Sequence, residues 1–243
     1  MTRQPPWKIL STPQPAMLGW LLAVVCWLSG STAAIAFPQT CFIEQARHHP
    51  NGAEVVVTGN VIVPSGAFGS SNLDQGFAIQ DVTGGIYVTS DRPLDVPLGE
   101  TVTVTGQLTD DGHGQRMLAL KTWQPSERPL LPFAPLFTST ARAGKSLDGQ
   151  LVTVQGTIVK PLKDDAPYGD RLWIADDTGE IQIYIAKSTG IAPQELPFLA
   201  VGRTIQVTGL SSQFDDNDEV MPRSRQDITE CTSPGHCQRS TRA

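Results

Sequence analysis

The side chains best suited to binding chemistry gather in one stretch of the second half of the chain. Trp173 and Tyr184 stand in RLWIADDTGEIQIYIAK, Arg171 to Lys187, two short apolar-alternating runs joined at a D-x-T-G turn signal. In extended runs, successive side chains point to opposite faces. Leu172, Ile174, Ile181, Ile183 and Ile185 then share one face, while Trp173, Gln182 and Tyr184 share the other. The two rings fall diagonally across the hairpin, within reach of each other. An indole and a phenol on an open face stack flat groups, bases or sugar rings, each base stack contributing about 1–3 kcal/mol. Arg171 and Lys187 flank the rings and Lys160 and Lys163 lie just upstream, so phosphate contacts are available beside the stack. The competing reading packs Trp173 against a neighbouring segment and leaves the lysines as ordinary solvated charges.

The acidic run QFDDNDE, Gln213 to Glu219, offers hard oxygen ligands for calcium from Asp215, Asp216, Asn217, Asp218 and Glu219. It lacks the correctly placed glycine and terminal glutamate of an EF-hand loop, so a solvated acidic loop is expected, one that repels phosphates near it. Catalytic signatures are missing: there is no G-x-S-x-G, H-E-x-x-H, P-loop or G-x-G-x-x-G. His48-His49 and His113 belong to no spaced set of acids or nucleophiles. The expectation is therefore a non-enzyme with no catalytic residues, no metal and no cofactor. The 243 residues carry 18 basic and 24 acidic side chains, net −6, which argues against a strong non-specific polyanion binder but leaves room for a locally basic face.

Residues 1–36 read as a secretory signal peptide: Arg3 and Lys8, then the apolar run Met17 to Leu28, then Ala34-Ile35-Ala36 as the cleavage site. The run is too short for a hydrocarbon core of about 30 Å. Cleavage after Ala36 implies a secreted or periplasmic protein without a stable membrane span. Three cysteines would then remain in an oxidising compartment: Cys41, Cys231 and Cys237. One bridge and one odd thiol is the simplest count. A turn at Pro234-Gly235 could join Cys231 to Cys237, and Cys41 could instead tie either one to the other end of the chain.

The elements that must position these residues come from an internal repeat. EVVVTGNVIVP, from Glu54, matches LVTVQGTIVKP, from Leu151; FAIQDVTGGIYV, from Phe77, matches LWIADDTGEIQI, from Leu172; GETVTVTG, from Gly99, matches GRTIQVTG, from Gly202. Asp81, Thr83 and Gly84 fall on Asp176, Thr178 and Gly179. Each copy reads as five short strands, the last at Gln115–Trp123 and Glu219–Ile228, the first bent at Gly59 or Gly156. That count and bend fit a small closed barrel better than a sandwich. Short helices are expected at Ile43–His48 and Ser139–Lys145. Four prolines between Gln124 and Leu136 read as a semi-extended linker.

FAIQDVTGGIYV, preceded by FIEQAR and VVVTGNV, resembles the OB-fold modules of secreted bacterial proteins, which often accompany extracellular nucleases. GQLVTVQGTIV, LWIADDTGEIQIYI and GRTIQVTG are similar to the OB domains of the tRNA and helicase class. The expected architecture is all-β: a signal peptide at 1–36, a first OB barrel at 37–123, a Pro-rich linker at 124–137, a second OB barrel at 138–229 and a polar, cysteine-containing tail at 230–243. The resemblance implies single-stranded DNA or RNA as partner, held by Trp173, Tyr184, Gln182, Arg171, Lys160, Lys163 and Lys187 on the second barrel. Tyr87 and Gln80 are the corresponding candidates on the first, where Ala78 stands in place of an aromatic. The alternative partner is a protein or glycan of the cell envelope.

Overall fold

The structure is a computed structural model that describes residues 39–233 and 236–238, so the signal-peptide expectation lies outside the described residues. The first copy opens with β1 (Gln39–Thr40) and α1 (Ile43–Arg47), followed by β2 (Glu54–Val63), β3 (Phe77–Gln80), β4 (Gly85–Thr89), β5 (Thr101–Asp110) and β6 (Arg116–Pro125). The second opens with β7 (Leu136–Phe137), followed by β8 (Leu151–Asp165), β9 (Gly169–Asp176), β10 (Gly179–Ala186), β11 (Thr204–Phe214) and β12 (Asn217–Met221). A terminal hairpin, β13 (Ile228–Ser233) and β14 (His236–Gln238), completes the second sheet.

Both copies close. In the first, the order β2-β3-β4-β6-β5 returns on itself through β2–β5, with β4 and β6 parallel. In the second, β8-β9-β10-β12-β11 returns through β8–β11, with β10 and β12 parallel. Two five-stranded barrels of this strand order are OB folds. Gly59 and Gly156 sit where the first strand wraps against the second. A Cβ on Gly59 would meet the Gln80 backbone at 3.0 Å, and one on Gly156 the Ala175 backbone at 2.8 Å.

The alternation sorts the interior as read from sequence. Phe77, Ile79, Ile86 and Val88 join the first barrel's core, and Leu172, Ile174, Ile181, Ile183 and Ile185 the second's. The D-x-T-G turns do the same work twice. Asp81 accepts from Thr83 and Gly84 and reaches back to the Ile43 N–H at the start of α1, 2.9 Å away. Asp176 accepts from Thr178 and reaches back to Thr140 N–H, also at 2.9 Å.

Three local expectations change. Ser139–Lys145 is turn rather than helix, with a single 3-10 turn at Lys145–Leu147. The last strand of the second barrel is Asn217–Met221 and stops before Pro222; Ile228 begins the separate strand β13. The prolines of the linker leave Ser126–Pro135 without regular structure, yet the segment is anchored to the first barrel. Asn60 Nδ2 donates to Leu131 O at 2.8 Å, and Leu130 N–H donates to Thr101 Oγ1 at 2.9 Å. Cys231 is bonded to Cys237, and Cys41 is a half-buried free thiol.

The barrels belong to one compact unit and share a third apolar cluster. Ile62, Val63, Phe68, Ala78, Tyr87 and Met117 of the first meet Leu151, Ala186, Leu210 and Met221 of the second. The backbones touch at Gly85 and Gly149, where a Cβ on Gly85 would lie 1.9 Å from Gly149 O. Around this cluster Arg47 Nη2 reaches Asp148 at 2.5 Å, and Arg223 Nη1 donates to Ile62 O at 2.8 Å.

Candidate binding face and cleft

The register across the second barrel brings the sequence-predicted residues together. On the outer face Trp173 is paired with Lys160 on β8 and with Gln182 on β10, and Gln182 with Glu219 on β12. The adjacent row runs Lys163, Arg171, Tyr184. Trp173 and Tyr184 are therefore diagonal neighbours, one ring per row, with a cation at the β8 end of each. Trp173 is half-buried, and Lys160 Nζ lies 4.8 Å from its ring centroid, a cation–π contact.

The charges are less free than their numbers suggest. Lys160 is bonded to Glu180, and Arg171 to Asp165. Lys187 lies at the barrel's end, off the outer face, tied to Asp170 at 2.9 Å, and that hydrogen bond raises its pKa. Lys163 is exposed and has no ion-pair partner among the described residues. Exposed pairs such as Lys160–Glu180 contribute only about 0–1 kcal/mol, so an incoming phosphate can displace the carboxylate at little cost.

Tyr87 and Gln80 do not lie on an open face. Tyr87 is 1% exposed, its hydroxyl donating to Asp74 Oδ1 at 2.5 Å with Phe68 O 3.1 Å away, and burial raises its pKa steeply. Gln80 accepts from Leu151 N–H at 2.8 Å. The parity is as expected, but the second barrel covers this face. The two copies diverge at one matched pair: Tyr87 opposes Met117 in the first barrel, where Gln182 opposes Glu219 in the second. The apolar pair is buried between barrels, and the polar pair lines a cleft.

That cleft, about 480 Å³, lies between the second barrel's outer face and the first barrel's loops. Tyr184, Arg171, Gln182 and Glu219 form one wall; Ser71, Asp111 and Gln115 form the other, with Leu73, Tyr168 and Phe214 exposed at the rim. Sequence reading missed Asp111 and Tyr168 and took Glu219 as the junction of a solvated acidic loop and the last strand. Glu219 lies within the strand, buried rather than solvated, and accepts from Gln182 Nε2 at 2.8 Å. Burial, reinforced by the Asp111 and Asp165 carboxylates, pushes its pKa to about 7. Burial and the same Asp165 raise the Tyr184 hydroxyl to about 12. Only Asp215 and Asp216 form the turn before Asn217. Asp215 bonds His113 at 2.8 Å, whose ring stacks on Phe214 at 4.6 Å. Among the described residues no cluster of three or more His, Cys, Asp or Glu is arranged to hold a metal ion.

No family model and no curated protein matches the chain. Among solved structures it is similar to a chain of the S. pombe Stn1–Ten1 complex, at 16% identity over 35% of this chain and 60% of that one, TM-score 0.29. An OB domain from Methanosarcina mazei is 16% identical over 42% of this chain and 88% of its own, TM-score 0.32. A murine DNA-binding protein bound to double-stranded DNA is 12% identical over 68% of this chain and 90% of its own, TM-score 0.41. The chain thus spans about 60% of the Stn1–Ten1 chain it resembles. The OB assignment rests on the strand order of the two barrels.

Proposed function

We propose that this chain is an exported, non-enzymatic binding protein that takes a single-stranded nucleic acid across the outer face of its second barrel. One observation carries the reading: the register sets Trp173 and Tyr184 on adjacent rows, each row ending in a lysine of β8, with Arg171 between. Bases stack on the rings while phosphates run along Lys160 and Lys163, with Arg171 beside the stack. The first barrel buries its own face and serves as the support that shapes one side of the groove.

Labelled single-stranded DNA and RNA titrated at low and moderate salt, with Trp173→Ala alongside, test this. Binding that weakens steeply with salt and drops about 5- to 150-fold in the variant supports it. No binding at low salt overturns it. A second reading, an envelope glycan or protein as ligand, is favoured by the three carboxylates of the cleft, Asp111, Asp165 and Glu219, against the single cation Arg171. Such a ligand would bind with little response to salt.

A further inference from the structure

Two polar atoms of cleft-wall residues are buried and have no hydrogen-bond partner among the described residues: Gln182 Oε1, an acceptor, and Arg171 Nε, a donor. Gln182 is 5% exposed, and its other amide atom is committed to Glu219. Arg171 and Gln182 are diagonal neighbours on one face, with Tyr184 opposite Arg171 in the ladder. Orphaned buried groups carry a large desolvation penalty, and a ligand that pairs with them recovers it. Acceptors dominate the remainder of the wall, through Glu219, Asp111 and Asp165.

We infer that the cleft beside Tyr184 selects guanine, whose Watson–Crick edge offers one acceptor and two adjacent donors. The proposal rests on the nucleic-acid reading above and names the base that this site prefers. Guanine O6 takes the Arg171 Nε–H, while N1–H donates to Gln182 Oε1 and the N2 amine to Glu219, the order in which β9, β10 and β12 present them. Thymine and uracil present acceptors at both ends of that edge and leave Glu219 facing a carbonyl. Cytosine and adenine each present a single exocyclic amine beside a ring acceptor, so they cannot supply two neighbouring donors. The cleft's volume lies within the range of small-ligand pockets and accepts one base stacked on Tyr184. Its carboxylates keep the phosphates outside, on the Lys160 and Lys163 side.

Three labelled oligomers read this out in the intact chain: oligothymidine, the same oligomer with one central guanine, and the same with hypoxanthine, which lacks the N2 amine. The guanine oligomer is expected to bind about tenfold tighter than oligothymidine, with hypoxanthine losing most of that gain. Glu219→Gln is expected to shrink the guanine-to-thymine ratio, its melting curve checking that it folds. If Glu219→Gln fails to fold, the hypoxanthine oligomer still decides. Equal binding of all three overturns the guanine inference and leaves the nucleic-acid reading standing. No binding of any overturns both.

Discussion

The side-chain oxygen of Gln80, in the first barrel, accepts the backbone N–H of Leu151, at the first position of β8 in the second, across 2.8 Å of buried interface. Each copy is thus built to bury part of its partner, and the face that would carry a ligand in the first barrel has become structural. Gln80→Ala strands the Leu151 N–H in an apolar contact, at a cost of about 1–3 kcal/mol. Thermal unfolding should show one transition in the parent and a lower one in the variant. Two well-separated transitions in the parent would mean that the barrels do not fold as a unit.

Period-2 alternation placed Phe77, Ile79, Leu172 and Ile174 inward because an interior position constrains residue type locally. The same parity put Tyr87 and Trp173 outward in both copies. It contains nothing about what covers an outward face, and the difference between Ala78-Tyr87 and Trp173-Gln182 acquires meaning only once the barrels meet. Glu219 was illegible for a related reason. A polar strand lining a cleft has no apolar rhythm, so Asn217 and Asp218 read as loop and Glu219 as its solvated end. Nor does spacing reveal that Glu180 and Asp165 hold Lys160 and Arg171, since those bonds cross the ladder.

Those bonds predict a counterintuitive charge effect. Glu180→Gln frees Lys160 while removing an anion from the phosphate path, and single-stranded DNA should bind about two- to fivefold tighter at low salt. Lys163→Ala removes an exposed cation and should lower the slope of log affinity against log salt by about 0.7. Anisotropy titrations over a salt series measure both. An unchanged slope in Lys163→Ala would remove that lysine from the phosphate track.

Glu219 makes stability depend on pH in the direction opposite to most carboxylates. Its pKa rises from an ordinary 4.5 to about 7 on folding, so the folded state holds the proton more tightly than the unfolded one. Stability from this group is complete below about pH 4.5, falls as the pH rises toward 7 and levels off above, by about 2–4 kcal/mol. Glu219→Gln removes that dependence. Chemical denaturation should therefore show the variant gaining on the parent between about pH 5 and 8, with no further gain beyond. A constant difference across that range would mean that the cleft solvates the carboxylate.

Asp176 behaves in the opposite sense. Burial disfavours its charge, but hydrogen bonds from Thr178 and from both the backbone and hydroxyl of Thr140 outweigh it and hold the carboxyl well below its ordinary 3.8. The folded form therefore binds its proton less readily than the unfolded one, and its contribution is present above about pH 4 and lost as acid titrates it. Asp176→Asn keeps an acceptor but presents an amide where Thr178 N–H, Thr178 Oγ1 and Thr140 Oγ1 all donate to one oxygen and Thr140 N–H to the other. A loss of about 1–3 kcal/mol at neutral pH is expected, shrinking as the pH falls below about 4, where the unfolded parent takes up the proton that its folded form resists. Because this turn joins β9 to β10, the loosening should also disturb the diagonal of Trp173 and Tyr184. The variant should then lose nucleic-acid affinity at neutral pH while still folded, which distinguishes a latch that aligns the face from one that only adds stability.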